Sequence, residues 1–217
     1  MANKDEMMCE TIIEEMKLPI NDERMCETII EEMKLPINEE KMRKCYKELF
    51  KISRKFPPQK NENKFIYGKL GEKALISMLS DIGIINIVDL DDKHSTGSEY
   101  KNDIIINDVY FSIKVKLNKP GDIIMINCKS TPDHTLDINT LIIVINERKI
   151  YAIPKTFNTD EYIKRDSGSI SYKNKILTHF TKNCPKFVYT FPELKDDILE
   201  IPAIDIYNIL YNDYIRE

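Results

Sequence analysis

Residues 99–117, Glu-Tyr-Lys-Asn-Asp-Ile-Ile-Ile-Asn-Asp-Val-Tyr-Phe-Ser-Ile-Lys-Val-Lys-Leu, decide the fold of this chain, because they predict a β-hairpin of defined register. Asn107-Asp108 suits a two-residue turn, which places Ile106 opposite Val109, Ile105 opposite Tyr110, Ile104 opposite Phe111 and Asp103 opposite Ser112. Side chains alternate along a strand. Ile104, Ile106, Phe111, Ile113, Val115 and Leu117 therefore share an apolar side, while Asp103, Ser112, Lys114 and Lys116 share the other. An acid, a hydroxyl and a lysine become neighbours by geometry.

The elements around the hairpin follow from periodicity. Residues 65–82 set Leu70, Ala74, Leu75, Met78 and Leu79 on one helical stripe, with Gly83 as the stop. Gly68 and Gly71 inside that pattern cost about 1 kcal/mol each against alanine, which implies close packing or a helix start placed at a site. Residues 84–90 are expected as a strand, followed by a polar loop over 91–99, the hairpin, and another strand over 123–127. Residues 141–145 and 149–153 predict a second hairpin around Asn146-Glu147-Arg148, ended by Pro154. A final helix is expected over 204–215, with Ile206, Ile209, Leu210 and Tyr214 packed on the sheet. Helix, strands, helix is the order of an α/β or α+β sandwich.

The N-terminal region carries a tandem repeat. Residues 8–24, Met-Cys-Glu-Thr-Ile-Ile-Glu-Glu-Met-Lys-Leu-Pro-Ile-Asn-Asp-Glu-Arg, recur at 25–41 with Glu39 in place of Asp22 and Lys41 in place of Arg24. Each copy offers an Asn N-cap, acids in a first turn, apolar residues such as Met25, Ile29 and Met33 at helical spacing, and a terminating proline. Two units are too few to bury a continuous core, so a helical arm or oligomerisation element is expected. A degenerate third copy starts at Met42, and Pro57-Pro58 opens a linker.

Bulk properties narrow the function classes. The 217 residues are 42% hydrophobic, enough for a globular core, and no apolar run approaches the roughly 20 residues of a membrane span. The N-terminus lacks the basic start and apolar stretch of a secretory signal, so an intracellular (cytoplasmic) location is expected. Cys9, Cys26, Cys45, Cys128 and Cys184 are odd in number and form no Cys-x-x-Cys pair, and His94, His134 and His179 are scattered. Reduced thiols fit this pattern better than a zinc site. The Walker pattern is absent, which argues against nucleotide hydrolysis. Net charge is -4, but residues 1–40 hold 12 acids and 4 bases, whereas residues 41–73 hold 11 bases against Glu48, Glu62 and Glu72. A phosphate-binding surface and a solvated lysine-rich face both fit that division.

Phosphodiester hydrolysis needs a hard cation held by carboxylates and a group that orients or deprotonates the attacking water. Asn102-Asp103, eight intervening residues and Ser112-Ile113-Lys114, preceded by Gly68-Lys-Leu-Gly-Glu72, resemble the PD-(D/E)XK nuclease superfamily, which includes type II restriction endonucleases and Holliday-junction resolvases. The resemblance covers residues 65–155. It implies a mixed central sheet flanked by helices, here with an N-terminal helical extension. The expected division is a helical arm over 1–56, a linker over 57–64 and a nuclease-like domain over 65–217. The resemblance further implies catalytic roles for Asp103, Lys114, Glu72 and Ser112, with Asp103 and Glu72 as ligands of Mg2+.

Ser112 departs from the family, which places Glu, Asp or Gln there, and a neutral hydroxyl is a weaker magnesium ligand than a carboxylate. Three explanations stay open. A carboxylate comes from another element, with Glu99, Asp122, Asp133, Asp137 and Glu147 available; Glu72 suffices with Asp103 for one metal; or the fold has lost catalysis and only binds DNA. The expected function is thus a magnesium-dependent type II site-specific deoxyribonuclease acting on double-stranded DNA as a homodimer. The alternatives are an inactive DNA-binding or assembly protein on the same fold, or a Holliday-junction-type resolvase. The loop 93–99 and Tyr100, Tyr110, Tyr162 and Tyr172 are candidate DNA contacts, and each also has an ordinary role as flexible turn or packing residue.

Overall fold

The computed structural model describes residues 21–56, 61–90, 103–118, 123–126, 138–157, 162–164, 170–173 and 175–193. The Asn21 side chain accepts the Arg24 N–H at 2.7 Å and so caps helix α1 (Asp22–Lys34), which carries acids in its first turn and Lys34 in its last. Met25, Cys26, Ile29, Ile30 and Met33 form its buried stripe. Pro36 then opens a single 3-10 turn (Pro36–Asn38), and α2 (Glu39–Lys55) follows at once. Asn38 leaves α2 without a side-chain cap. Its Nδ2 donates instead to the Glu32 carbonyl at 2.8 Å and the Ile82 carbonyl at 3.4 Å, tying the turn to the end of the next helix.

Helix α3 (Asn61–Asp81) buries the predicted stripe of Leu70, Ala74, Leu75, Met78 and Leu79. It ends in a Schellman motif: Ile84 N–H reaches the Leu79 carbonyl at 3.0 Å, Gly83 N–H reaches Ser80 at 3.1 Å, and Gly83 has φ +97°. That cap consumes the start of the strand expected over 84–90. Asn86, at φ 55°, breaks extension again, so β1 is only Ile87–Asp89.

The hairpin has the predicted register. β2 (Ile104–Ile106) and β3 (Val109–Lys116) pair Ile104 with Phe111, Ile105 with Tyr110 and Ile106 with Val109. Asn107 and Asp108 both have positive φ, as a type I′ turn requires. β4 (Ile123–Ile126), β5 (Asn139–Val144), β6 (Lys149–Ile153), β7 (Tyr162–Lys164), β8 (Ile170–Lys173), α4 (Lys175–Asn183), a 3-10 turn (Pro185–Phe187) and β9 (Val188–Thr190) complete the described chain. Residues 204–215, where a last helix is expected, lie outside the described residues.

Among the described residues, β1-β2-β3-β5-β6-β9 form a six-stranded mixed sheet in that order, parallel at β3–β5 and antiparallel elsewhere. The strand at 123–126 is not part of it. It pairs with β8 in a second, three-stranded antiparallel sheet ordered β4-β8-β7. Every residue of β5 is buried, as expected of a central strand covered on both faces. Each such Leu, Ile or Val contributes about 1.5–3 kcal/mol.

Helices cover both faces of the large sheet, giving the mixed α/β class expected. On one face a Cβ at Gly71 would stand 2.7 Å from Val115 Cγ2, so α3 lies directly on β3. On the same side the Tyr46 hydroxyl of α2 donates to the Ile145 carbonyl at 3.0 Å, and its ring stacks on Phe191 at 4.9 Å. On the opposite face the Tyr151 hydroxyl meets Thr181 Oγ1 of α4 at 3.3 Å. Residues 57–60, at the expected domain boundary, lie outside the described residues. The helices before and after that segment share one continuous core with the sheet.

Candidate active site

Register and alternation bring Asp103, Ser112 and Lys114 together where the chain enters β2 beside β3, on the sheet face opposite α3. Ser112 Oγ donates to Asp103 Oδ2 at 3.0 Å, and Lys114 Nζ stands 4.0 Å from the same oxygen. A third donor was not legible in the sequence: the Ile113 backbone N–H reaches Asp103 Oδ2 at 2.5 Å. Asp103 N–H meanwhile donates to the Phe111 carbonyl, one residue out of the ladder register, and Leu90 N–H donates to the Asp103 carbonyl. The chain leaves the ladder at Asp103, and its carboxylate takes up the N–H that the departing backbone no longer pairs. One residue thus caps β3 and faces Lys114.

Ser112 is buried at 2% exposure, while the Asp103 and Lys114 side chains retain 17% and 23%. Oδ1 of Asp103 carries no hydrogen bond among the described residues. A monodentate carboxylate oxygen beside a hydroxyl oxygen suits a hard cation that keeps several of its own waters. Asp103 offers one such oxygen, Oδ1. No group of three or more His, Cys, Asp or Glu side chains able to hold a metal occurs among the described residues.

The structure places the other candidates elsewhere. Glu72 lies on α3, one residue after the glycine that abuts Val115, and pairs with Lys69 at 2.8 Å. The next residue, Lys73, pairs with Asp89 of β1, a link between helix and sheet edge that spacing alone did not suggest. Glu147 accepts the Tyr151 hydroxyl at 3.2 Å. Because Val144 pairs with Lys116, Glu147 lies beyond that end of β3, roughly 13 Å along the strand direction from Ser112. Glu99, Asp122, Asp133, Asp137, Tyr100 and the loop 93–99 lie outside the described residues. Tyr110 is half exposed on β3.

Asn139 supports the site from the neighbouring strand. It is buried, pairs with Phe111 across the parallel ladder, and donates to the Tyr110 carbonyl at 3.1 Å and to Asp22 Oδ1 at 2.8 Å. Its side-chain Oδ1 accepts the Lys155 N–H at 2.8 Å, and Lys155 Nζ pairs with Asp22 at 3.1 Å. The N-terminus of α1 is thereby joined to the strand that carries Ser112 and Lys114. An Asn at the head of an apolar run was the available signal.

No model of a known protein family matches the chain, and no curated protein matches it. One solved structure is similar. It is a restriction endonuclease in complex with substrate DNA, 14% identical, with a TM-score of 0.39, and the alignment covers 70% of this chain and 81% of that one. Among the described residues no helix is long and apolar enough to cross a membrane.

Proposed function

We propose that this protein is a magnesium-dependent DNA endonuclease of the restriction type. The observation that carries the proposal is the Asp103, Ser112 and Lys114 cluster, ordered by an Ile113 N–H and open at one carboxylate oxygen. Asp103 would hold Mg2+ through Oδ1, with a carboxylate from an element other than α3 completing the ligands, because Glu72 lies on the helix that covers the opposite sheet face. When bound, Mg2+ neutralises charge that develops on the scissile phosphate. Ser112 and the Ile113 N–H keep Oδ2 turned inward, so Oδ1 stays on the open side. Lys114 donates a hydrogen bond to the attacking water and holds it near the phosphate. Double-stranded DNA is the substrate, and cutting both strands calls for two copies related by a two-fold axis.

Plasmid cleavage with Mg2+ tests the proposal. Asp103→Ala and Lys114→Ala should each lower the rate about 100-fold or more, and undiminished cleavage in both variants refutes it. The bonds that Asp103 Oδ2 makes to β3 favour a second reading, in which Asp103 serves only as a strand cap on a non-catalytic DNA-binding protein. That protein would bind DNA in a salt-sensitive way and cut none with any metal.

A further inference from the structure

The tandem repeat gives the chain a second version of α1. Residues 5–17, which lie outside the described residues, match α1 (Asp22–Lys34) position for position, with Met7 in place of Arg24 as the one difference. Arg24 is exposed, so that difference falls outside what α1 buries. α1 is seated against β6, β9 and the 3-10 turn Pro185–Phe187. Its buried stripe of Met25, Cys26, Ile29, Ile30 and Met33 recurs as Met8, Cys9, Ile12, Ile13 and Met16. Its polar fastenings recur too. Asp22 accepts from Asn139 at 2.8 Å and pairs with Lys155 at 3.1 Å, Glu23 and Glu27 pair with Lys186, and Lys34 Nζ donates to the Pro185 carbonyl at 3.2 Å. Asp5, Glu6, Glu10 and Lys17 stand at those positions in the first copy.

We infer that the surface which seats α1 is a binding site for the first copy as well, so that residues 5–17 can replace α1 within one chain. The site selects apolar spacing and charge, and the two copies offer the same of both. Chain length permits the exchange. Residues 35–38 join α1 to α2; with the first copy seated, residues 18–38 make the connection, and closure entropy rises only slowly with loop length. The second copy stays the main occupant, because Asn21 caps it where the first copy has Lys4. The missing cap and the longer loop leave the first copy seated in on the order of one molecule in a hundred. A charge introduced on the second copy's stripe inverts that ratio, since an unpaired carboxylate is expelled from an apolar core. Asp5 then takes the place of Asp22 on Asn139.

Cys9 and Cys26 occupy equivalent positions and report the occupant. Full-length protein treated with iodoacetamide and then mapped by peptide mass reads each thiol separately, because trypsin releases the two cysteines in peptides of different mass. In the wild type Cys26 should label more slowly than Cys9, since Cys26 is fully buried and burial pushes its thiol up. In Ile29→Asp the protection should pass to Cys9, which labels about tenfold or more slower than in the wild type, while Cys26 becomes reactive. Circular dichroism should show that variant folded, and the double variant Ile12→Asp/Ile29→Asp should lose protection at both thiols. Four outcomes overturn the proposal: an unfolded Ile29→Asp chain, a folded one in which Cys9 labels at the wild-type rate, protection of Cys9 that survives in the double variant, or protection that rises with protein concentration and so comes from a second chain.

Discussion

Gly68 and Gly71 stand three residues apart on one helix, yet only one of them answers to packing. A Cβ at Gly71 would meet Val115 Cγ2 at 2.7 Å and Cγ1 at 2.9 Å, whereas one at Gly68 would meet nothing within 4 Å. Gly71→Ala should therefore destabilise by about 1–3 kcal/mol through overpacking, and Gly68→Ala should stabilise by about 0.5–1 kcal/mol through helix propensity. Urea denaturation of the two variants reads both signs. Residue chemistry also separates what was legible at the site from what was not. Alternation along the hairpin was enough to group Asp103, Ser112 and Lys114. It carried no information on the Ile113 N–H, because that bond arises only where the backbone departs from the ladder.

At the scale of elements, the local signals held where both partners are close in sequence. The Asn107-Asp108 turn set the β2–β3 register, and Gly83 set the end of α3. The Asn21 cap of α1 is equally local: Asn21→Ala removes the acceptor for the Arg24 N–H and should cost about 1 kcal/mol in thermal or chemical denaturation. Strand membership is another matter. Residues 123–126 have the composition of a core strand, but their partner is β8, more than forty residues on, rather than the hairpin they follow. Composition states that a segment can be a strand and leaves its neighbour unspecified.

At the scale of the whole molecule, α1 and α2 share their apolar faces with the core of the sheet. Ile29→Ala should then cost about 2–5 kcal/mol and lower a single cooperative transition; a variant that melts α1 alone, with the sheet transition unmoved, refutes this. Alkaline pH probes the same core. Burial raises Tyr151 and Tyr189 from 10 to about 12 each, so the folded state holds their protons more tightly than the unfolded chain. Their contribution to stability is fully present below pH 10. It is lost as pH rises from 10 to about 12, because the unfolded phenols ionise first. Phenolate absorbance should rise together with unfolding across that window, and early ionisation without loss of structure would contradict it.

By itself the sequence determined the hairpin, its register and the meeting of Asp103, Ser112 and Lys114, since these depend on a two-residue turn and a period of two. It also determined the stripe and cap of α3 and the buried face of the repeat unit at 25–41. Only the tertiary structure decided that α3 lies on the sheet face away from Ser112 and Lys114, that Glu147 stands beyond the far end of β3, and that Asp22 is anchored to Asn139. Those relations join residues far apart along the chain, where packing and the satisfaction of buried polar groups choose the partner and local propensity is silent.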